Sequence, residues 1–174
     1  MNNTNTRTFK FRGKDLNIIG SDLKVGEKAP EFTVQTNEFE TFRGLDSTKG
    51  KVRIIASAPS LETGVCDRET RTFNQEAIDL DPNIVVMVIT MDLPYTQKRW
   101  CGAAGIERVV TLSDHMLGDF GQNYGCLINE VRVLRRAVFV VDQQDKIVYS
   151  DYMAELGLEP NYGEVINAAK SALS

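Results

Sequence analysis

The sequence predicts an α/β fold, a central mixed sheet flanked by helices with a β-hairpin extension at its N-terminal end. Three observations carry that expectation. Two short β-branched apolar runs, Val52–Ser57 (VRIIAS) and Ile84–Thr90 (IVVMVIT), are separated by a segment with helical apolar spacing. Strands apolar on both faces and joined through a helix pair in parallel, with a right-handed crossover. A later pair of runs, Ala137–Val141 and Lys146–Ser150, flanks the polar turn Asp142–Asp145, which marks an antiparallel hairpin. Finally, the 174 residues are 42% hydrophobic, and a chain of this length buries roughly 70% of the surface its unfolded form exposes, enough for a core without disulfides or a structural metal.

Taken in order, residues 1–7 are polar and read as a frayed terminus. Thr8–Arg12 and Leu16–Ile19 flank the turn cluster Gly13-Lys14-Asp15 and form the N-terminal hairpin. Lys24–Pro30 is a connector, and Glu31–Thr36 alternates Phe32 and Val34 with polar neighbours as a half-buried strand does. Within Cys66–Leu80, Phe73, Ala77 and Leu80 form an apolar stripe that packs a helix on the sheet. Tyr95–Ala104 is a second helix closed by Gly105. Val109–Leu112 is a short strand and Met116–Tyr124 a short helix. Pro160–Leu173 gathers Val165, Ile166, Ala169 and Leu173 on one face of a last helix. No repeat, low-complexity block or linker interrupts the chain, so residues 1–174 read as one domain. This order of elements fits a thioredoxin-like core with an N-terminal β extension.

Composition removes several function classes. Twenty Lys and Arg against 24 Asp and Glu leave a net charge of −4, with no basic field to hold nucleic acid. No stretch approaches the about 18 apolar residues that span a bilayer, and the first residues lack the apolar centre of a signal peptide. The expectation is therefore a cytoplasmic protein with no membrane contact. Three cysteines are too few for a disulfide framework in a reducing compartment, so those that matter do chemistry. One histidine and no C-x-x-C or C-x-x-H spacing give no metal site.

The chemistry concentrates in Ile54–Asn74 (IIASAPSLETGVCDRETRTFN). Pro59 ends a buried strand, Thr63 lies in the turn before a helix, and Cys66 falls in that helix's first turn. Unpaired N–H groups and the positive end of the helix dipole favour thiolate over thiol there. Arg68 and Arg71 add positive charge, but Glu62, Asp67 and Glu69 oppose it, so a helpful cation must come from elsewhere in the chain. Taken by position alone, Cys66 reads equally well as a small buried hydrophobe, Thr63 as a cap, Pro59 as a strand terminator and Arg136 as a surface residue of its arginine cluster.

The run Pro59-Ser60-Leu61-Glu62-Thr63-Gly64-Val65-Cys66 resembles the P-x-x-x-T-x-x-C signature of peroxiredoxins, in the form found in the thiol peroxidase subfamily of atypical two-cysteine peroxiredoxins. Ile89–Ser113 resembles that subfamily's DLP-x-x-x-x-R-x-C-G-x-x-G stretch, and Arg136–Asp142 its RA-V-x-V-x-D strand. The resemblance implies a thiol-dependent peroxidase that reduces hydrogen peroxide and alkyl hydroperoxides to water or alcohols. It makes Cys66 the peroxidatic cysteine, oxidised to a sulfenic acid, and Cys101 the resolving cysteine that closes a Cys66–Cys101 disulfide. Thr63 and Arg136 then serve the thiolate and the peroxide oxygens, and Pro59 shields them from water. It further implies recycling by thioredoxin, a homodimer, and no organic cofactor or metal. Two residues depart from the pattern or stand outside it: Glu62 occupies a position usually held by Asp, and Cys126 matches no catalytic position and reads as buried. Cysteines on different helices must rearrange to bond, so both helices are expected to open locally. Three other readings stay open: a cysteine hydrolase using His115, a redox sensor, and a binding domain with inert cysteines.

Overall fold

The computed structural model describes residues 7–174. Residues 1–6 of the expected frayed terminus lie outside them, whereas Arg7 already pairs with Ile18 as the first residue of a strand. The elements run β1 (Arg7–Phe11), β2 (Lys14–Ile19), β3 (Thr33–Gln35), β4 (Thr41–Arg43), a 3-10 turn (Asp46–Thr48), β5 (Val52–Ser57), α1 (Gly64–Ala77), β6 (Ile84–Thr90), α2 (Pro94–Ala104), β7 (Val109–Ser113), α3 (Asp119–Asn123), β8 (Leu127–Ile128), β9 (Val133–Leu134), β10 (Ala137–Val141), β11 (Ile147–Tyr152) and α4 (Tyr162–Ser171).

A seven-stranded sheet in the order β11-β10-β5-β6-β7-β3-β4 forms the centre. The pairs β5–β6 and β6–β7 are parallel, as the two apolar runs require, and β10 lies antiparallel to both β5 and β11. Every residue of β5 and β10 is buried. Alternation splits them between two cores: Val52, Ile54 and Ala56 pack with Phe73, Trp100 and Ile166 under α1, α2 and α4. Ile55, Phe139 and Val141 pack with Phe32, Phe120 and Tyr124 on the opposite face. Fully burying one such side chain contributes about 1.5–3 kcal/mol. Arg53 lies inside this apolar strand because each of its three nitrogens donates, to Thr48 Oγ1 (2.8 Å), to Asp145 Oδ1 (2.7 Å) and to the carbonyls of Asp142 and Leu45 (both 2.9 Å).

Helix ends follow their local chemistry. Pro94 stands at the start of α2, and Gly105 closes it with φ 66°, a left-handed conformation that glycine adopts without penalty. Asn161 caps α4 by accepting from the Glu164 N–H at 3.1 Å. The N-terminal hairpin differs from expectation in its company: it is half of a second, four-stranded sheet, β1-β2-β8-β9. Strands of two residues carry no readable period, which is why β8 and β9 escape sequence reasoning.

Candidate active site

The register of β10 decides where the site lies. Ala137 pairs with Ser57, so Arg136 sits at the C-terminal end of β5, where the chain leaves the sheet through Ala58–Thr63 to enter α1. Asp92, just past β6, holds that loop: Ser60 Oγ donates to its Oδ1 at 2.7 Å, and the Leu61 N–H to its Oδ2 at 2.8 Å. Leu61 is fully buried beneath.

Thr63 is the cap of α1. Its Oγ1 accepts from the Cys66 N–H at 3.2 Å, and its hydroxyl donates to the Ser60 carbonyl at 3.3 Å. Its contact with Cys66 is therefore to the backbone, and one oxygen lone pair stays available. Cys66 Sγ is buried and accepts from Arg136 Nη2 at 3.2 Å. The same nitrogen donates to the Leu156 carbonyl at 3.2 Å, and Nη1 pairs with Glu69 Oε2. Arg136 is 1% exposed, so the arginine is no surface residue; its contacts span Cys66, Glu69 and the segment after β11.

Burial pushes the Glu69 carboxyl up to about 7, and the attraction of Arg136 offsets only part of that cost. Burial works in the opposite sense on Arg136, but the Glu69 carboxylate and the Cys66 sulfur outweigh it and hold the guanidinium above its ordinary value. Breaking such a buried pair from one side costs about 3–5 kcal/mol. Over the group opens a cavity of about 370 Å³ lined by Pro59, Thr63, Val65, Arg136, Leu156 and, from the small sheet, Phe11.

Cys66, Thr63, Arg136 and Pro59 thus come together. Cys101 does not join them: its sulfur is half-buried and lies 3.2 Å from Thr111 Oγ1 on β7. Both thiols are free. One bond ties the two cysteine helices, Trp100 Nε1 on α2 donating to Asp67 Oδ1 on α1 at 2.9 Å, and within α1 Arg71 Nε holds the same carboxylate through Oδ2, also at 2.9 Å. Arg68 and Arg71, the nearby cations, are engaged with Glu159 and Asp67. Glu62 is exposed and pairs with Arg99. Cys126 is fully buried, and burial pushes its thiol up to about 11. His115 Nε2 lies 2.7 Å from Gln35 Oε1, on the far side of the strand order from β5 and β10, and lends the hydrolase reading nothing. Among the described residues no three His, Cys, Asp or Glu side chains gather as metal ligands would.

Sequence reasoning missed Glu69, Asp92, Leu156 and Phe11. Glu69 carried a usable signal, since three residues after Cys66 it falls on the same helix face; the local charge count hid it by treating it as an opponent of Arg68. Nothing in the sequence marks Leu156, and Phe11 stands out only as the start of the F-x-G turn Phe11-Arg12-Gly13.

The family described as Redoxin matches residues 24–166. A thiol peroxidase of Oceanobacillus iheyensis is 50% identical over 157 residues, covering 90% of this chain and 94% of that protein. One from Halalkalibacterium halodurans is 48% identical over 166 residues, 95% of this chain and 99% of the relative. The crystal structure of a peroxiredoxin-like protein from Aquifex aeolicus superposes with a TM-score of 0.86 at 37% identity, covering 96% and 98% of the two chains. A thiol peroxidase from Chromobacterium violaceum shares the fold, with a TM-score of 0.80 at 21% identity and coverage of 94% and 95%.

Proposed function

The chain belongs to the Redoxin family and, within it, to the thiol peroxidases, and on that premise we propose that it reduces hydroperoxides through Cys66 and Cys101. The observation that carries the assignment of residues is the 3.2 Å bond to the buried Cys66 sulfur from Arg136, which itself lines an open cavity. A guanidinium there stabilises negative charge on sulfur and, during reaction, on the departing oxygen.

The Cys66 thiolate attacks the outer peroxide oxygen. The O–O bond breaks, the S–O bond forms, and the remaining oxygen leaves with its electron pair and takes a proton as water or alcohol. The free lone pair of Thr63 accepts from the peroxide hydroxyl and aligns the two oxygens with sulfur. Pro59 closes one wall against water. Cys101 then attacks the sulfenic sulfur, hydroxide leaves as water, and a Cys66–Cys101 disulfide remains. Because Cys101 faces Thr111, this step requires the first turn of α1 and the α2 helix to come apart locally. A dithiol protein, thioredoxin, returns two electrons and two protons to the disulfide.

The chain acts as one domain, since both sheets line the cavity. It works in the cytoplasm, where thiols are kept reduced, and no helix among the described residues is long and apolar enough to cross a membrane. A homodimer is supported by exposed Leu93, Tyr95 and Phe39, the last two with ring centres 4.8 Å apart. Sedimentation of wild type and Tyr95→Glu tests it, the variant being expected to shift toward monomer.

The residue assignment is tested by adding one equivalent of cumene hydroperoxide to the reduced protein, followed by intact and peptide mass spectrometry. Wild type should lose about 2 Da as a Cys66–Cys101 bridge, and Cys101→Ser should gain about 16 Da on Cys66. A Cys66 thiol left free in both would remove the reading.

A further inference from the structure

We infer that Thr111 is a positioning residue for the second half of the reaction: with Asn37 it latches Cys101 in the resting fold and so sets how long the Cys66 sulfenic acid lasts; this rests on the peroxidase reading above. Thr111 lies on β7, 4% exposed, with β6 between it and β5. It takes no part in the attack on peroxide. A threonine hydroxyl has one proton and two lone pairs. That proton goes to Asn37 Oδ1 at 3.2 Å, so at the 3.2 Å contact with Cys101 Sγ the oxygen accepts and the thiol donates. Cys101 thus heads a chain that runs from its S–H through a buried hydroxyl to the Asn37 side-chain carbonyl.

Asn37 belongs to the turn between β3 and β4, and the same turn meets α2 twice more. Glu38 Oε1 accepts from Lys98 Nζ at 2.5 Å, and the Phe39 and Tyr95 rings meet edge to face with centres 4.8 Å apart. Both of those contacts are exposed; the Thr111 bond is the one that acts on the sulfur. For resolution that bond must break. Cys101 then loses its proton, its sulfur bonds to the Cys66 sulfur, and the sulfenic S–O bond breaks with the oxygen leaving as water. While the latch holds, the sulfenic acid stays open to a second hydroperoxide. Its sulfur attacks the outer oxygen, a second S–O bond forms, the O–O bond breaks and alcohol leaves, giving a sulfinic acid that Cys101 cannot resolve. The latch therefore sets the division between the two fates.

The test follows Cys66 by rapid quench and mass spectrometry after one equivalent of cumene hydroperoxide, in wild type, Thr111→Val and Thr111→Ser. Thr111→Val keeps the branched shape and loses the hydroxyl; conversion of sulfenic acid to disulfide should quicken about fivefold, the scale of one hydrogen bond. In excess peroxide its yield of sulfinic acid, a gain of about 32 Da, should fall with it. Thr111→Ser keeps the hydroxyl and should stay within about twofold of wild type. A conversion rate in Thr111→Val that is slower than wild type or within about twofold of it overturns the inference, and so does a Thr111→Ser rate equal to that of Thr111→Val, which would make the role one of packing. Should Thr111→Val fail to fold, as read by circular dichroism, Thr111→Ala, which also lacks the hydroxyl, takes its place. Failure of the underlying reading looks different: wild type then forms neither disulfide nor sulfinic acid.

Discussion

Replacing Glu69 with glutamine removes one negative charge from the buried cluster but leaves an oxygen for Arg136 Nη1 to donate to. In the wild type, burial carries the Glu69 carboxyl from 4.5 to about 7. The folded protein therefore holds that proton more tightly than the unfolded chain does. The resulting stabilisation is complete below pH 4.5 and is lost as the pH rises to about 7. At about 1.4 kcal/mol per pH unit, the loss between pH 5 and pH 8 is roughly 2–3 kcal/mol. Glu69→Gln has no proton to release over that range. Urea unfolding of the reduced proteins at both pH values reads the difference directly, with wild type losing stability relative to the variant as the pH rises. Parallel pH dependences would refute the reasoning, because they would mean that Arg136 compensates the buried carboxylate in full and that Glu69 is ionised throughout.

Arg136→Met should slow peroxide oxidation of Cys66 by about 100-fold or more, the scale of losing one preorganised charge-stabilising donor, measured by rapid quench; a change under about threefold would exclude the arginine from the reaction. Asp67→Ala removes the acceptor shared by Trp100 and Arg71. Loss of that bond between helices, worth about 1 kcal/mol, should speed disulfide formation severalfold in time-resolved mass spectra, and an unchanged rate would show that α1 and α2 part elsewhere. Iodoacetamide at pH 8 should label Cys101 in the folded protein and spare Cys126, whose buried thiol is pushed up to about 11; unfolding in urea should expose all three cysteines to the reagent.

Much of the scaffold was legible because it repeats with a period. The β5 and β6 runs, the apolar stripe of α1 and the hairpin of β10 and β11 carry their patterns within a few residues, and each lies where the sequence puts it. Start and stop residues were legible for the same reason: Thr63, Gly105 and the Asp142–Asp145 turn act on backbone groups next to them. The cysteine in the first turn of α1 follows from the position of that cap.

Arg136 shows where local reading ends. By composition it belongs to a surface cluster, and only the motif resemblance drew it to Cys66, 70 positions away. Its placement comes from the antiparallel register that sets Ala137 opposite Ser57, which is a property of strand pairing. Glu69 illustrates the complementary failure. A charge count treats its carboxylate as an obstacle to the thiolate, but buried against Arg136 it orients the guanidinium instead.

By itself, then, the sequence determined most of the strands, the helices, their caps and the place of Cys66 in a helix's first turn, because propensity, periodicity and capping act over a few residues. Tertiary structure alone decided which cation meets the sulfur, that Cys101 rests against Thr111, and that Phe11 and Leu156 wall the cavity. Those outcomes depend on register, sheet order and burial, which sum contacts between segments far apart in the chain and leave no mark in any one of them.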